Sequence, residues 1–252
     1  MNFATTFAAV TAVMALLMAI LAWSLSRIPG WHGLRWFSGL SIGALCFALG
    51  NCVATLPVSD AAVIRGGQVA LWGASLFVLS CPAFCARLER RGIGRVDKAF
   101  MTLAVVSAVL VAVPGVVLGD GVEHRLVDAG WFGAIAYRQP VNGPLGVLLH
   151  FCFGACTAWY ALELLVASRS SRRGLAGHGL AMLLVALGIF NDALVSRGVI
   201  EGSYVVLVAL QAMVIASGTM ISRRVGQGAR ELERLTRELE STEAALVRRE
   251  RL

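Results

Sequence analysis

Along most of the chain, apolar residues come in unbroken runs rather than in alternation. Crossing a bilayer as an α-helix takes about 20 such residues, because hydrocarbon offers the backbone no partner outside the segment. Seven stretches have that character, at 4–25, 36–56, 64–86, 99–118, 144–167, 176–195 and 204–221, each bounded by Gly, Pro or charge. They predict an all-α polytopic membrane protein built as a seven-helix transmembrane bundle. The first run starts without a basic residue and is too long for a cleaved signal, so it counts as the first span.

The pattern changes after Arg224. Residues 231–252 are rich in Glu, Arg and Leu, with no Pro or Gly to stop a helix. Leu232, Leu235, Leu239, Thr242 and Leu246 follow a 3,4 spacing, an a/d seam of roughly two and a half heptads. So short a helix is marginal alone, and the seam predicts a coiled-coil homodimer through the C-terminal helix. The expected division is a transmembrane domain over 1–223 and a cytoplasmic helix over 224–252, whose pattern, still running at 248–252, reads as a connector toward a further domain. The only long connection between spans, 119–143, mixes Trp131, Phe132 and Tyr137 with glycines and is expected to lie as a loop at the membrane surface, since aromatic rings favour the headgroup level.

Composition agrees with the spans: 58% of the 252 residues are hydrophobic, 15% are charged, and the mean hydropathy is +0.75. The lipid bilayer is therefore the chief partner. A net charge of +7 would suggest nucleic acid in a soluble protein, but here the basic residues sit in short loops, and no nucleic-acid partner is expected. Their distribution sets orientation. Arg27 and Arg35, then Arg87, Arg90, Arg91, Arg95 and Lys98, then Arg169, Arg172 and Arg173, and finally Arg223 and Arg224 fall on one side. The other side has Arg65, Arg125, Arg138 and Arg197 among Asp60, Asp120, Glu123, Asp128 and Glu201. By the positive-inside rule the N-terminus is outside and the C-terminus cytoplasmic, in the inner (plasma) membrane.

Polar residues at bilayer depth are costly and mark candidate sites. They are Asn51, His150, Glu163, His178, Asn191, Asp192 and Gln211. Asp192, near the outer end of the sixth span, is the sharpest. It is expected to anchor an outward-facing ligand cavity with Asn191, Gln211 and His150, the competing role being an interfacial carboxylate paired with Arg197. Glu163 is expected to reach the basic loop at 169–173, and His178 to be a solvated residue at the cytoplasmic interface. The six cysteines, Cys46, Cys52, Cys81, Cys85, Cys152 and Cys156, all lie in apolar runs and read as small packing residues. Cys81 with Cys85 and Cys152 with Cys156 have i,i+4 spacing, but the two pairs fall at different depths, so no metal site is expected. The only lysine, Lys98, lies in a loop, which excludes a retinal Schiff base. No cofactor is expected and no catalytic residue, since no nucleophile triad, zinc-protease or phosphate-loop pattern occurs.

Phe190-Asn191-Asp192-Ala193-Leu194, then Arg197-Gly198-Val199-Ile200, the run 207–211, and Ser222-Arg223-Arg224 leading into the Glu/Leu-rich helix resemble the seven-helix membrane sensor modules of bacterial signalling proteins. That group includes the diverse-intracellular-signalling receptors and the seven-helix N-terminal regions of histidine kinases. The resemblance covers the last quarter of the chain in detail and the rest by span count and topology. It implies a sensory input module that receives a small ligand or lipid. The stimulus would pass through the seventh helix and the seam Leu232, Leu235, Leu239 and Leu246 to an output domain, a histidine kinase or a nucleotide cyclase. The main rival is a small polytopic transporter or channel.

Overall fold

The computed structural model describes residues 3–128, 134–169, 175–200 and 204–250. Contacts group the chain into two units, Met1–Val214 and Ile215–Leu252. The described elements are α1 (Phe3–Leu25), α2 (Leu34–Ala54), α3 (Asp60–Glu89), α4 (Arg95–Ala112), β1 (Leu118–Asp128), β2 (Ala134–Asn142), α5 (Gly146–Arg169), α6 (Ala176–Ser196) and α7 (Val206–Glu250). Six helices, all but α4, are long and apolar enough to cross a membrane.

The outer surface of the first unit is apolar. Leu17, Ile20, Val109, Leu162, Val166 and Leu187 are all more than half exposed, which suits hydrocarbon and not water. With lipid outside, apolar burial does not drive helices together, and close backbone packing must do so. Small residues supply it. On α1 the buried face is Ala8, Ala12, Ala15, Ala19 and Ala22, at alternating steps of four and three, and Ser38 Oγ of α2 donates to Ala19 O across this contact at 3.0 Å.

The α2–α3 contact is closer still. Gly43 faces Gly73 and Gly50 faces Gly66 in antiparallel register. A Cβ on Gly43 would stand 2.6 Å from Gly73 O, and one on Gly50 2.3 Å from Gly66 O. Each helix thus offers two glycines seven residues apart, two turns along one face.

Between α3 and α4, Ser75 Oγ and Ser107 Oγ are 2.9 Å apart and Trp72 Nε1 donates to Ala108 O. Here the expected fourth span is shorter than the run 99–118. The helix stops at Ala112, because Pro114 has no N–H to continue it and holds Val113 extended at φ −87°, ψ 117°. Gly115 then turns the chain at φ +75°.

The expected surface loop is instead an antiparallel hairpin, among the described residues the one departure from all-α. Val122 pairs with Pro140 and Arg125 with Tyr137, and an irregularity follows Leu118. Both hairpin arginines are spent on helix ends. Arg125 donates to Val195 O and, at 2.7 Å, to Ser196 O at the end of α6. Arg138 donates to Val58 O and to the Asp60 carboxylate at the head of α3. Trp131 and Phe132 lie outside the described residues.

In the second unit, α7 carries Arg234 bonded to Glu231 at 2.7 Å and Arg237 bonded to Glu233. Leu232, Leu235 and Leu239 are exposed at 67%, 45% and 63%. The side chain of Leu246 lies outside the described residues.

Candidate functional site

A cavity of about 150 Å³ opens in the first unit among α2, α3, α5, α6, the start of α7 and β2. Its walls are apolar and mostly small. Gly43, Ala44, Ala70 and Ala74 leave the space, while Phe47, Phe77 and Phe153 bound it. Toward the hairpin the lining turns polar, with Asn51, Gln139, Asn142, His150, Asp192 and Tyr204.

Each polar group is placed by a local bond. Asn51 Nδ2 donates to Phe47 O one turn back at 2.9 Å, leaving Oδ1 as the open acceptor of that amide. His150 Nδ1 is 2.7 Å from Gly146 O. A carbonyl only accepts, so Nδ1 carries the proton and, in the neutral ring, Nε2 is left as an acceptor. Tyr204 OH donates to Gln139 Oε1 at 2.7 Å, leaving the Gln139 NH2 group as a donor, and the Tyr204 ring meets Tyr137 edge-on at 5.0 Å.

Asp192 has a second task. Helix α7 begins at Val206, and its first N–H groups have no partner within the helix. Asp192 Oδ1 accepts from Val205 N at 2.8 Å and Oδ2 from Val206 N at 3.3 Å. A carboxylate on α6 therefore caps α7, where the positive end of the helix dipole also favours it. Asn191 Nδ2 donates to Asp192 Oδ1 at 3.1 Å.

Of the four residues singled out in the sequence, His150 and Asp192 line the cavity. Asn191 does not line it but donates to Asp192, which does. Gln211 does not line it: its Nε2 is 3.5 Å from Met14 Sδ on α1. In place of the competing Asp192–Arg197 pairing stands the cap on α7, which offers two N–H donors without extending an arginine.

Two further expectations are corrected at the opposite end of the bundle. His178 is not solvated. It is 3% exposed, with its ring 5.8 Å from that of Phe84. Glu163 bonds Arg91 of the third loop, at 2.9 Å from Nη2, while Arg172 and Arg173 of the loop it was expected to reach lie outside the described residues.

Arg91 also holds Glu89 at 2.5 Å and both oxygens of Asp97, so one guanidinium joins carboxylates from α3, α4 and α5. Asp97 further accepts from Gly94 N and Tyr160 OH, each at 2.7 Å. Asp97 stands in the first turn of α4, before the apolar stretch. Burial there pushes its pKa up, but Arg91, Gly94 N–H and Tyr160 OH together pull it below the ordinary carboxylate range. The hydrogen bond to Asp97 raises the pKa of Arg91 against its own burial. No sequence spacing links these residues, and the cluster was not anticipated.

Among the described residues no group of three or more His, Cys, Asp or Glu is arranged to hold a metal ion. Chemically the cavity can bind and orient a small molecule, and through Asp192 an occupant can bear on the start of α7. No family model matches the chain and no curated protein matches it, so the resemblance to seven-helix sensor modules stands on the quoted residues alone.

Proposed function

We propose that the chain is the membrane-embedded sensory input module of a bacterial signal-transduction protein, a sensor histidine kinase by preference. It sits in the inner membrane with its N-terminus outside and its C-terminus in the cytoplasm. The observation that carries the reading is the double role of Asp192, which lines the cavity and caps α7, the helix that runs on to Glu250. An occupant that draws Asp192 toward itself weakens the cap, and loss of a capping carboxylate costs a helix end about 0.5–2 kcal/mol. That is enough to bias a two-state helix whose position a partner copy reads.

The orientation is supported by the engagement of Arg125 and Arg138 with helix ends on the hairpin side, whereas basic residues flank the helix ends on the other. Homodimer formation through the C-terminal helix is supported by the exposure of Leu232, Leu235 and Leu239 along one stripe.

The test is photocrosslinking in membranes with benzoylphenylalanine placed singly at 231–241. Crosslinked dimers are expected to peak at 232, 235 and 239, and the pattern is expected to shift in Asp192→Ala. Crosslinking without that periodicity, or a pattern that Asp192→Ala leaves unchanged, contradicts the proposal.

A further inference from the structure

The chemistry of the cavity lining restricts what it can hold. Among the described residues neither Lys nor Arg lines it, so a carboxylate or phosphate would be buried without a counter-charge, which is strongly unfavourable. Its one charged lining group, Asp192, already accepts from Val205 N, Val206 N and Asn191 Nδ2. That carboxylate is satisfied and does not call for a cation.

The groups left open are neutral and of both kinds, the Asn142 amide carrying both an acceptor and donors. Asn51 Oδ1 and the Nε2 of a neutral His150 accept, while the NH2 of Gln139 donates; none of the three has another hydrogen-bond partner among the described residues. A hydroxyl is the smallest group that donates and accepts at once. The remaining lining is mostly apolar, small alanines and glycines alongside Phe77, Phe153, Ile189 and Leu210, and a cavity of about 150 Å³ is the size that holds a benzene-sized molecule.

We infer that the cavity binds a small uncharged apolar molecule carrying a hydroxyl group, an alcohol or phenol of about seven to ten heavy atoms. In this arrangement the hydroxyl donates to His150 or Asn51 and accepts from Gln139, and the hydrocarbon lies against Phe77 and Phe153. The inference rests on the cavity being the sensed site, and it names the class of stimulus.

The experiment is equilibrium dialysis of labelled phenol, toluene and benzoate against the full chain in lipid nanodiscs, with empty nanodiscs subtracted. Phenol is expected to bind saturably at one site, with toluene about 10-fold weaker, the scale of one or two lost hydrogen bonds, and benzoate weaker still because its charge would be buried without a counter-charge. In Ala74→Leu, which fills the cavity, phenol binding is expected to be lost. In the double variant Asn51→Leu/His150→Phe, which removes both acceptors, it should weaken about 10-fold while toluene binding holds. Toluene binding as tightly as phenol, benzoate binding more tightly, or phenol binding unchanged in Ala74→Leu each overturns the assignment. Because the unmodified protein alone gives the phenol-to-toluene comparison, a variant that fails to fold does not remove the test. Phenol that binds as described but leaves the crosslinking pattern of the C-terminal helix unmoved sinks the sensory reading and leaves the ligand class standing.

Discussion

Replacing Gly50 by alanine adds one methyl group where the structure has least room. The new Cβ would lie 2.3 Å from Gly66 O, 2.7 Å from Ala70 Cβ and 2.9 Å from Ala70 N. Two of these three atoms are backbone, so no side chain can swing away, and α2 and α3 must separate by about 1 Å to restore van der Waals distance. A gap of that size forfeits a quarter to a half of each contact along the seam, and overpacking of this kind costs about 1–3 kcal/mol. Alanine returns at most about 1 kcal/mol in helix propensity. The net expectation is a loss of about 1–2 kcal/mol. Gly177→Ala is the control: nothing lies within 4 Å of its added Cβ, so only the propensity gain remains and the change is neutral or stabilising. Reversible unfolding in mixed micelles titrated with SDS measures both. Equal stability of Gly50→Ala and the parent would refute the close-packing argument, and so would equal losses in the two variants.

At the other end of the bundle, Tyr160→Phe removes the O–H donor to Asp97 and is expected to cost about 1.5–3 kcal/mol, as for other hydrogen bonds to charged groups. The same assay reads it, and no loss would contradict a structural role for that bond. Because the folded pKa of Asp97 is depressed, its stabilisation is fully present above the unfolded value near 3.9 and is lost as pH falls through the folded value. The acid slope of stability below about pH 4 is therefore expected to flatten in Asp97→Asn, and an unchanged slope would assign it to other groups. Arg138→Ala should free β2 from the head of α3. Faster backbone hydrogen exchange at 135–141 is expected, and exchange equal to the parent would show that Arg125 alone holds the hairpin.

The helices that begin and end within apolar sequence were readable from it. The expected 4–25 and 176–195 correspond to Phe3–Leu25 and Ala176–Ser196. Helix α3 is longer than its apolar run because hydropathy reports the hydrocarbon-compatible part alone, whereas the Ser59 cap and the left-handed Arg90 set its ends. The hairpin was not legible. Gly119, Asp120, Gly121 and Glu123 break any two-residue alternation, and its attachment is through arginines to carbonyl groups, which leave no periodic trace.

The same logic divides the cavity. Asn51, His150 and Asp192 stand out as polar residues inside apolar runs, and their cost at depth is a signal. Gln139, Asn142 and Tyr204 come from segments that read as a loop and a span edge, so only the pairing of β2 and its approach to the bundle reveals them. Nearness to a span end does not reveal the burial of His178, because ring packing on Phe84 decides it.

In the proposed mechanism the cavity controls the C-terminal helix through Asp192. The most direct test of this control is autophosphorylation of a histidine-kinase core fused in heptad register after Leu252, measured in membrane vesicles for the parent, Asp192→Ala and Ala74→Leu, with and without phenol. Phenol is expected to change the parent rate, Ala74→Leu to abolish the response, and Asp192→Ala to fix the rate at one level whatever is added. A rate that responds to phenol in all three proteins, or in none, contradicts the mechanism.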